Sequence, residues 1–266
     1  MKAKTTILAS ILLTGAHSGQ AATIYTTGLT SPATPGDFDI TEAKNAPDVG
    51  WYAVMGRSNY HLTADIEGVN RRAGMFNGSN GALNDYLYFQ NINAATSDMD
   101  YFAHTSTGSN FSSFSPGQYS TLGAGWLVSR DALATGGGYY FAIQTGGVWY
   151  SSTTDAASQG TSGLISLNLL TSQWVAINEN VGVSLGRDTT ALTYSQLFSS
   201  GQQITGVGFY VDNLSAALAS GDPPISSFRT LRIDNLIISG DAVPEAGTSL
   251  LALTGLGTLL LGRRRQ

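Results

Sequence analysis

Asp65-Ile66-Glu67 and Asp98-Met99-Asp100 each place two carboxylates two residues apart, which on a strand puts both on one face. Such a pair can hydrolyse a glycosidic bond when its carboxyls stand roughly 5 Å apart and one is held protonated by its surroundings. The neighbours favour a plainer role: Asp65-Ile66-Glu67-Gly68 runs into Val69-Asn70-Arg71-Arg72, an exposed turn, so these read as solvated loop carboxylates. After the first 21 residues only His61 and His104 remain as histidines, and neither sits in H-E-x-x-H or another clustered ligand spacing. Each reads as a loop or core residue. Serine and threonine abound, but no G-x-S-x-G elbow holds a nucleophile. With no cysteine there is neither thiol chemistry nor a disulfide framework. No residue is therefore assigned a catalytic role.

Aromatic side chains offer a different chemistry, because the apolar faces of sugars stack on Trp and Tyr. Trp149 and Tyr150 are adjacent, so on a strand they point to opposite faces, one into the core and one exposed or at a rim. That pair is the candidate glycan contact, and Trp51-Tyr52 repeats the arrangement. Trp126 and Trp174, flanked by Leu and Val, read as core.

The elements that must position these residues are strands. Glycine is plentiful, at 32 residues, and 3.6-residue periodicity is scarce. Short alternating or aromatic runs bounded by Gly, Asn, Asp and Ser predict strands near 23–27, 50–55, 85–91, 126–129, 139–145, 148–152, 173–177, 204–211 and 228–239. Gln144-Thr145-Gly146-Gly147 predicts a tight hairpin, its glycines accepting positive φ. Short helical turns are expected at 195–200 and 215–219, and polar loops that resist burial at 105–117 and 151–162. Neither an internal repeat nor a second domain boundary is evident. The expected fold is all-β, a jelly-roll-type antiparallel β-sandwich over 22–241.

Both ends differ from this body. Lys2 and Lys4 precede an apolar stretch from Ile7 to Ala16, and Gly19-Gln20-Ala21 offers small residues before a cut. Residues 1–21 thus read as a signal peptide and the chain as exported. At the other end, Ala246 to Gly262 is 17 residues without a charge, closed by Arg263, Arg264 and Arg265. As a helix it would reach about 25 Å, near the lower limit for crossing a hydrocarbon core, with the arginines on the cytoplasmic side.

A leader, a Gly/Ser/Thr-rich β body, Val243-Pro244-Glu245, an apolar helix and an arginine cluster together resemble the PEP-CTERM proteins of Gram-negative bacteria. The resemblance implies that 242–266 is a sorting tail, with an exosortase and the export machinery as partners. Processing is expected near Pro244-Glu245, after tethering in the inner membrane; the destination is the cell surface or extracellular space. Ala246 stands where the family's motif V-P-E-P has its second proline.

Tyr139–Ser152, Trp174, Gly201–Asn213 and Phe228–Gly240, in that order, resemble the jelly-roll ectodomains common in that family, and Leu231–Ile238 the closing strand of concanavalin-like and carbohydrate-binding jelly rolls. Concanavalin-like hydrolases use an E-x-D-x-x-E strand, which is absent. The jelly-roll likeness also implies a structural calcium shared between a carboxylate near the domain's start (Asp37, Asp39 or Glu42) and Asp234 on the last strand.

Setting aside Glu245, the two leader lysines and the three terminal arginines leaves 17 acidic and 8 basic residues, a body at −9. That disfavours nucleic acid and anionic lipid surfaces, and permits neutral polysaccharide and cations. Asn-x-Ser triplets at Asn77, Asn110 and Asn213 are expected by chance in so Asn/Ser-rich a chain. Three functional classes remain: a non-catalytic surface or matrix protein, which the features favour; a carbohydrate-binding module; and a glycoside hydrolase, which the missing motifs oppose.

Overall fold

A computed structural model describes residues 21–27, 51–57, 60–61, 71–80, 83–91, 99–105, 111–130, 138–160, 162–180, 184–214 and 229–243. The leader, Asp37, Asp39, Glu42, the Asp65-Ile66-Glu67 triplet, Asp98, the 215–219 turn and the tail from Pro244 onward lie outside these residues. The strands are β1 (Ala22–Thr27), β2 (Trp51–Arg57), β3 (Tyr60–His61), β4 (Arg71–Asn80) and β5 (Leu83–Asn91). Then come β6 (Met99–Thr105), β7 (Tyr119–Arg130), β8 (Gly138–Thr145), β9 (Val148–Ser152) and β10 (Ser162–Asn168). The last are β11 (Gln173–Asn180), β12 (Ser184–Arg187), β13 (Leu192–Thr193), β14 (Ile204–Leu214) and β15 (Arg229–Ala242), with a single-turn helix α1 at Tyr194–Leu197. No helix among the described residues is long and apolar enough to cross a membrane.

All the pairings are antiparallel, and they build two sheets. The six-stranded sheet runs β10-β7-β15-β5-β4, with β1 beside β5 on the same edge of β15; the nine-stranded sheet runs β12-β11-β9-β8-β14-β6-β2-β3, with β13 on β11. The architecture is a jelly-roll-like β-sandwich, as expected.

Alternation explains why these residues make it. Along β7, Leu122, Ala124, Trp126 and Val128 are buried while Gly123, Gly125, Leu127 and Ser129 face outward. Trp126 stacks on Phe141 of β8 (5.6 Å, 15°) and meets the edge of Phe209 of β14 (5.2 Å), so one indole locks the sheets together. Phe89 of β5 packs edge-on against Tyr101 of β6 in the same layer. Trp174 is fully buried, as read. The β8–β9 hairpin turns on Gly146 (φ +58°) and Gly147 (φ +79°), a two-residue turn open to glycine and costly to most other residues.

Three expectations change. The 105–117 segment was expected to resist burial, yet Phe114 is 7% exposed and bridges to Ile204. In the 151–162 segment, Ala156 and Ala157 are buried. Local polar closure makes this affordable: the Asp155 carboxylate accepts from the amides of Tyr139 (3.1 Å) and Ala157 (2.8 Å), pinning the turn to β8. The short helix begins at Tyr194, where the Thr193 hydroxyl and Gln196 side chain form a capping box, not at Ser195.

Candidate functional site

The nine-stranded sheet curls strongly. β12, at one end of the strand order, comes into contact with β2, β3 and β6 at the other. The face turned away from the sandwich core therefore lines a hollow, and alternation decides which side chains enter it. Phe102 and His104 come from β6, Tyr140 and Ala142 from β8, Trp149 and Ser151 from β9, Ile177 from β11, Leu185 and Arg187 from β12, and Tyr210 from β14. Phe102, Ala142, Trp149, Ile177, Leu185 and Tyr210 form a second buried apolar cluster, separate from the sandwich core, with Tyr140 half-buried at its border.

Inside the hollow, His104 lies between Phe102 (4.7 Å) and Trp149 (4.5 Å), and its Nδ1 is 2.9 Å from the Thr105 carbonyl oxygen. Burial lowers its pKa to about 4, against the opposing pull of the Thr105 carbonyl. Trp149 can lie this close because β14 carries Gly206 beneath it: a Cβ there would stand 2.7 Å from the indole Cη2. The Tyr210 hydroxyl donates to Asp100 Oδ2 at 2.7 Å. Burial, reinforced by the Asp100 charge, raises the Tyr210 phenol well above its ordinary range. Asp100 is thus buried and hydrogen-bonded, not the solvated loop carboxylate expected; β6 continues through it, and Tyr210 supplies the donor.

Arg187 closes the hollow. Its guanidinium lies 3.5 Å from the centre of the Tyr140 ring, its Nε donates to Ser151 Oγ (2.8 Å) and its Nη2 to the Ser152 carbonyl (2.7 Å). Burial pushes the Tyr140 phenol up, with Asp155 and Asp212 adding to the rise and Arg187 opposing it. The border is therefore a mixed one: an aromatic ring and a clamped cation, with two carboxylates near.

The glycan-contact pair sits otherwise than expected. Trp149 is 8% exposed, covered by its neighbours in the hollow, and Tyr150 is half-buried against the sandwich core. Neither is an exposed platform, because the curl of the sheet covers the face that alternation alone would leave open. His104 is partly buried on the hollow side of β6, between the loop and core roles expected for it. The missed residues are Tyr140, Arg187 and Tyr210; nothing local marks them, since their meeting depends on strands 23 to 70 positions apart.

Asp234 of β15 is 2% exposed and its Oδ1 accepts from the Asn235 amide at 2.6 Å. Asn235 takes φ +50° at the irregularity between Asp234 and Ile237. The carboxylate thus caps a bulge, and among the described residues no three His, Asp or Glu side chains gather as a metal-binding group. Asp37, Asp39 and Glu42, the expected co-ligands of Asp234, lie outside the described residues. Of the sorting motif only Val243 is described: it is exposed, and its amide donates to the Gln118 carbonyl at 2.8 Å.

No protein-family model matches this chain, and no curated protein does. Among solved structures it is distantly similar to a CBM22-1–GH10 module pair of an endo-1,4-β-D-xylanase from Clostridium thermocellum, complexed with xylohexaose (TM-score 0.30, 9% identity, 73% of this chain and 26% of that one). It is similar at the same distance to the K1 cleaved adhesin domain of Lys-gingipain from Porphyromonas gingivalis W83 (TM-score 0.30, 13% identity, 79% and 99%). A botulinum neurotoxin serotype G binding domain follows (TM-score 0.24, 13% identity, 76% and 50%). The chain thus spans about a quarter of the xylanase chain and half of the toxin domain. At these distances none of the three bears on what this chain binds.

Proposed function

We propose that this chain is an exported, exosortase-sorted protein of the cell surface or extracellular matrix, whose β-sandwich is architectural and not catalytic. The observation that carries the architectural role is the filled hollow. The curl that could hold a ligand is packed with the protein's own Phe102, Trp149, Ile177, Leu185 and Tyr210, while Arg187 and Asp100 spend hydrogen bonds on holding it closed. The strand boundaries support the sorting part. Ala22, first residue of β1, pairs with Gly240 of β15, and among the described residues the last backbone hydrogen bond is that of Val243, next to Pro244. Cuts after Ala21 and near Pro244-Glu245 would both spare the paired strands.

Expression in a Gram-negative host with and without its exosortase, with mass spectrometry of both termini, tests this. The expected product begins near residue 22, ends near Pro244-Glu245 and leaves the inner membrane only when the exosortase is present. A chain that reaches the surface equally with its tail intact in both hosts would refute the sorting part.

Glycan binding is the second reading, favoured by the border of the hollow, where the half-buried Tyr140 ring and its stacked Arg187 lie near Asp155 and Asp212. A glycan-array screen of the full chain in detergent, beside Tyr140→Ala, Trp149→Ala and Tyr150→Ala, tests it. Selective binding lost in Tyr140→Ala supports it; binding indifferent to all three substitutions sinks it.

A further inference from the structure

We infer that strand β10 is a self-association edge, at which a second copy of this chain adds its own β10 antiparallel across a twofold axis. β10 ends the six-stranded sheet and, among the described residues, pairs only with β7. Its other edge therefore offers a row of backbone donors and acceptors, which an extended strand satisfies.

Exposed edges are ordinarily guarded by charge, proline or brevity. Most other terminal strands have such guards: β4 opens with Arg71 and Arg72, β12 ends in Arg187 followed by Asp188, and β3 and β13 are two residues each. β1, which among the described residues pairs only with β15, is also uncharged but carries no exposed large apolar side chain. β10, Ser162-Gly163-Leu164-Ile165-Ser166-Leu167-Asn168, has none, and no charged residue occurs from Ala156 to Asn178. In a body at −9, this is a stretch where two copies meet without like charges opposed.

The strand also matches itself. About a twofold axis at Leu164, Leu164 faces Leu164 and Ser162 faces Ser166 on the outer side, while Gly163 meets Ile165 on the inner side. Leu164 is 73% exposed and lies over Gly125, whose cross-strand neighbour Ile237 is 42% exposed. The contact thus covers the most exposed large apolar side chain among the described residues. An interface of one strand and its flanking apolar pair is small, so the association is weak and depends on concentration. In an array of such proteins, tethering supplies that concentration.

The test is sedimentation velocity of the full chain in a mild detergent over a concentration series, with Leu164→Lys and, as control, Thr189→Lys on an exposed loop. A reversible dimer is expected, weakened roughly tenfold or more by Leu164→Lys and unchanged by the control. Because the chain lacks cysteine, Leu164→Cys adds an independent readout. Mild oxidation should trap a disulfide-linked dimer from it and none from Thr193→Cys. A monomer at every concentration, a dimer indifferent to Leu164→Lys, or failure of the Leu164→Cys chain to crosslink overturns the inference. Each of those results leaves the proposed surface role standing, because that role is tested by processing and localisation.

Discussion

Gly206 and His104 show how tightly the hollow is built at the scale of single residues. A methyl at position 206 would push into the Trp149 ring and toward Thr105 Oγ1, which accepts the Val207 amide at 3.1 Å. Gly206→Ala should therefore destabilise the fold by about 1–3 kcal/mol, measured by urea unfolding. His104 makes stability depend on pH. Its folded pKa, about 4, lies below the ordinary 6.5, so between those values the unfolded chain binds more protons than the folded one. This contribution is intact above pH 6.5, is lost progressively as pH falls toward 4, and levels off below. The full loss is up to about 3 kcal/mol. His104→Gln should flatten the stability profile in that window relative to wild type, whatever it does to the absolute value.

At the scale of elements, β12 is the piece that turns an open sheet face into a filled one. Leu185, 1% exposed, is its apolar anchor in the hollow, and Arg187 its polar clasp. Leu185→Ala should cost about 2–5 kcal/mol and raise acrylamide quenching of tryptophan fluorescence, because Trp149 loses its cover. Quenching unchanged by the substitution would contradict that role. Elements also differ in how plainly their residues announce them. β8 and β9 alternate cleanly around a Gly-Gly turn, and their expected bounds, 139–145 and 148–152, match the observed strands within one residue. β3, β4, β6, β10, β12 and β13 were not anticipated: β3 and β13 are two residues long and β12 four, Arg71–Asn80 is rich in Gly and Asn and Ser162–Asn168 in Ser, while β6, an interior strand, carries Asp100 and His104 among its apolar residues. Apart from β6, these strands lie at or near a sheet's end, where they bury less, so selection for alternation is weak and their composition resembles that of loops.

For the whole molecule, β1 pairs with β15 inside the six-stranded sheet, and among the described residues the last backbone hydrogen bond belongs to Val243. A body of residues 22–243 should accordingly melt within a few degrees of the full chain by scanning calorimetry. A much lower midpoint would mean that the flanking segments contribute to the fold. Assembly belongs to this scale too, because on an acidic surface an uncharged edge that also exposes Leu164 directs contact between copies to itself.

Composition and local pattern determined the all-β class, most of the central strands, the glycine hairpin, the buried Trp126 and Trp174, and the expectation of an exported chain with a sorting tail. Those readings rest on features confined to a few neighbouring residues: a two-residue alternation, a pair of glycines, an apolar run beside arginines. The tertiary structure alone decided that Trp149 is covered, that Asp100 is buried against Tyr210, and that Arg187 lies on Tyr140. Each depends on how far the nine-stranded sheet curls. That curl brings β12 to β2 and β6, which lie far from it in sequence, and it arises from the summed twist of many strands. No local window contains that sum.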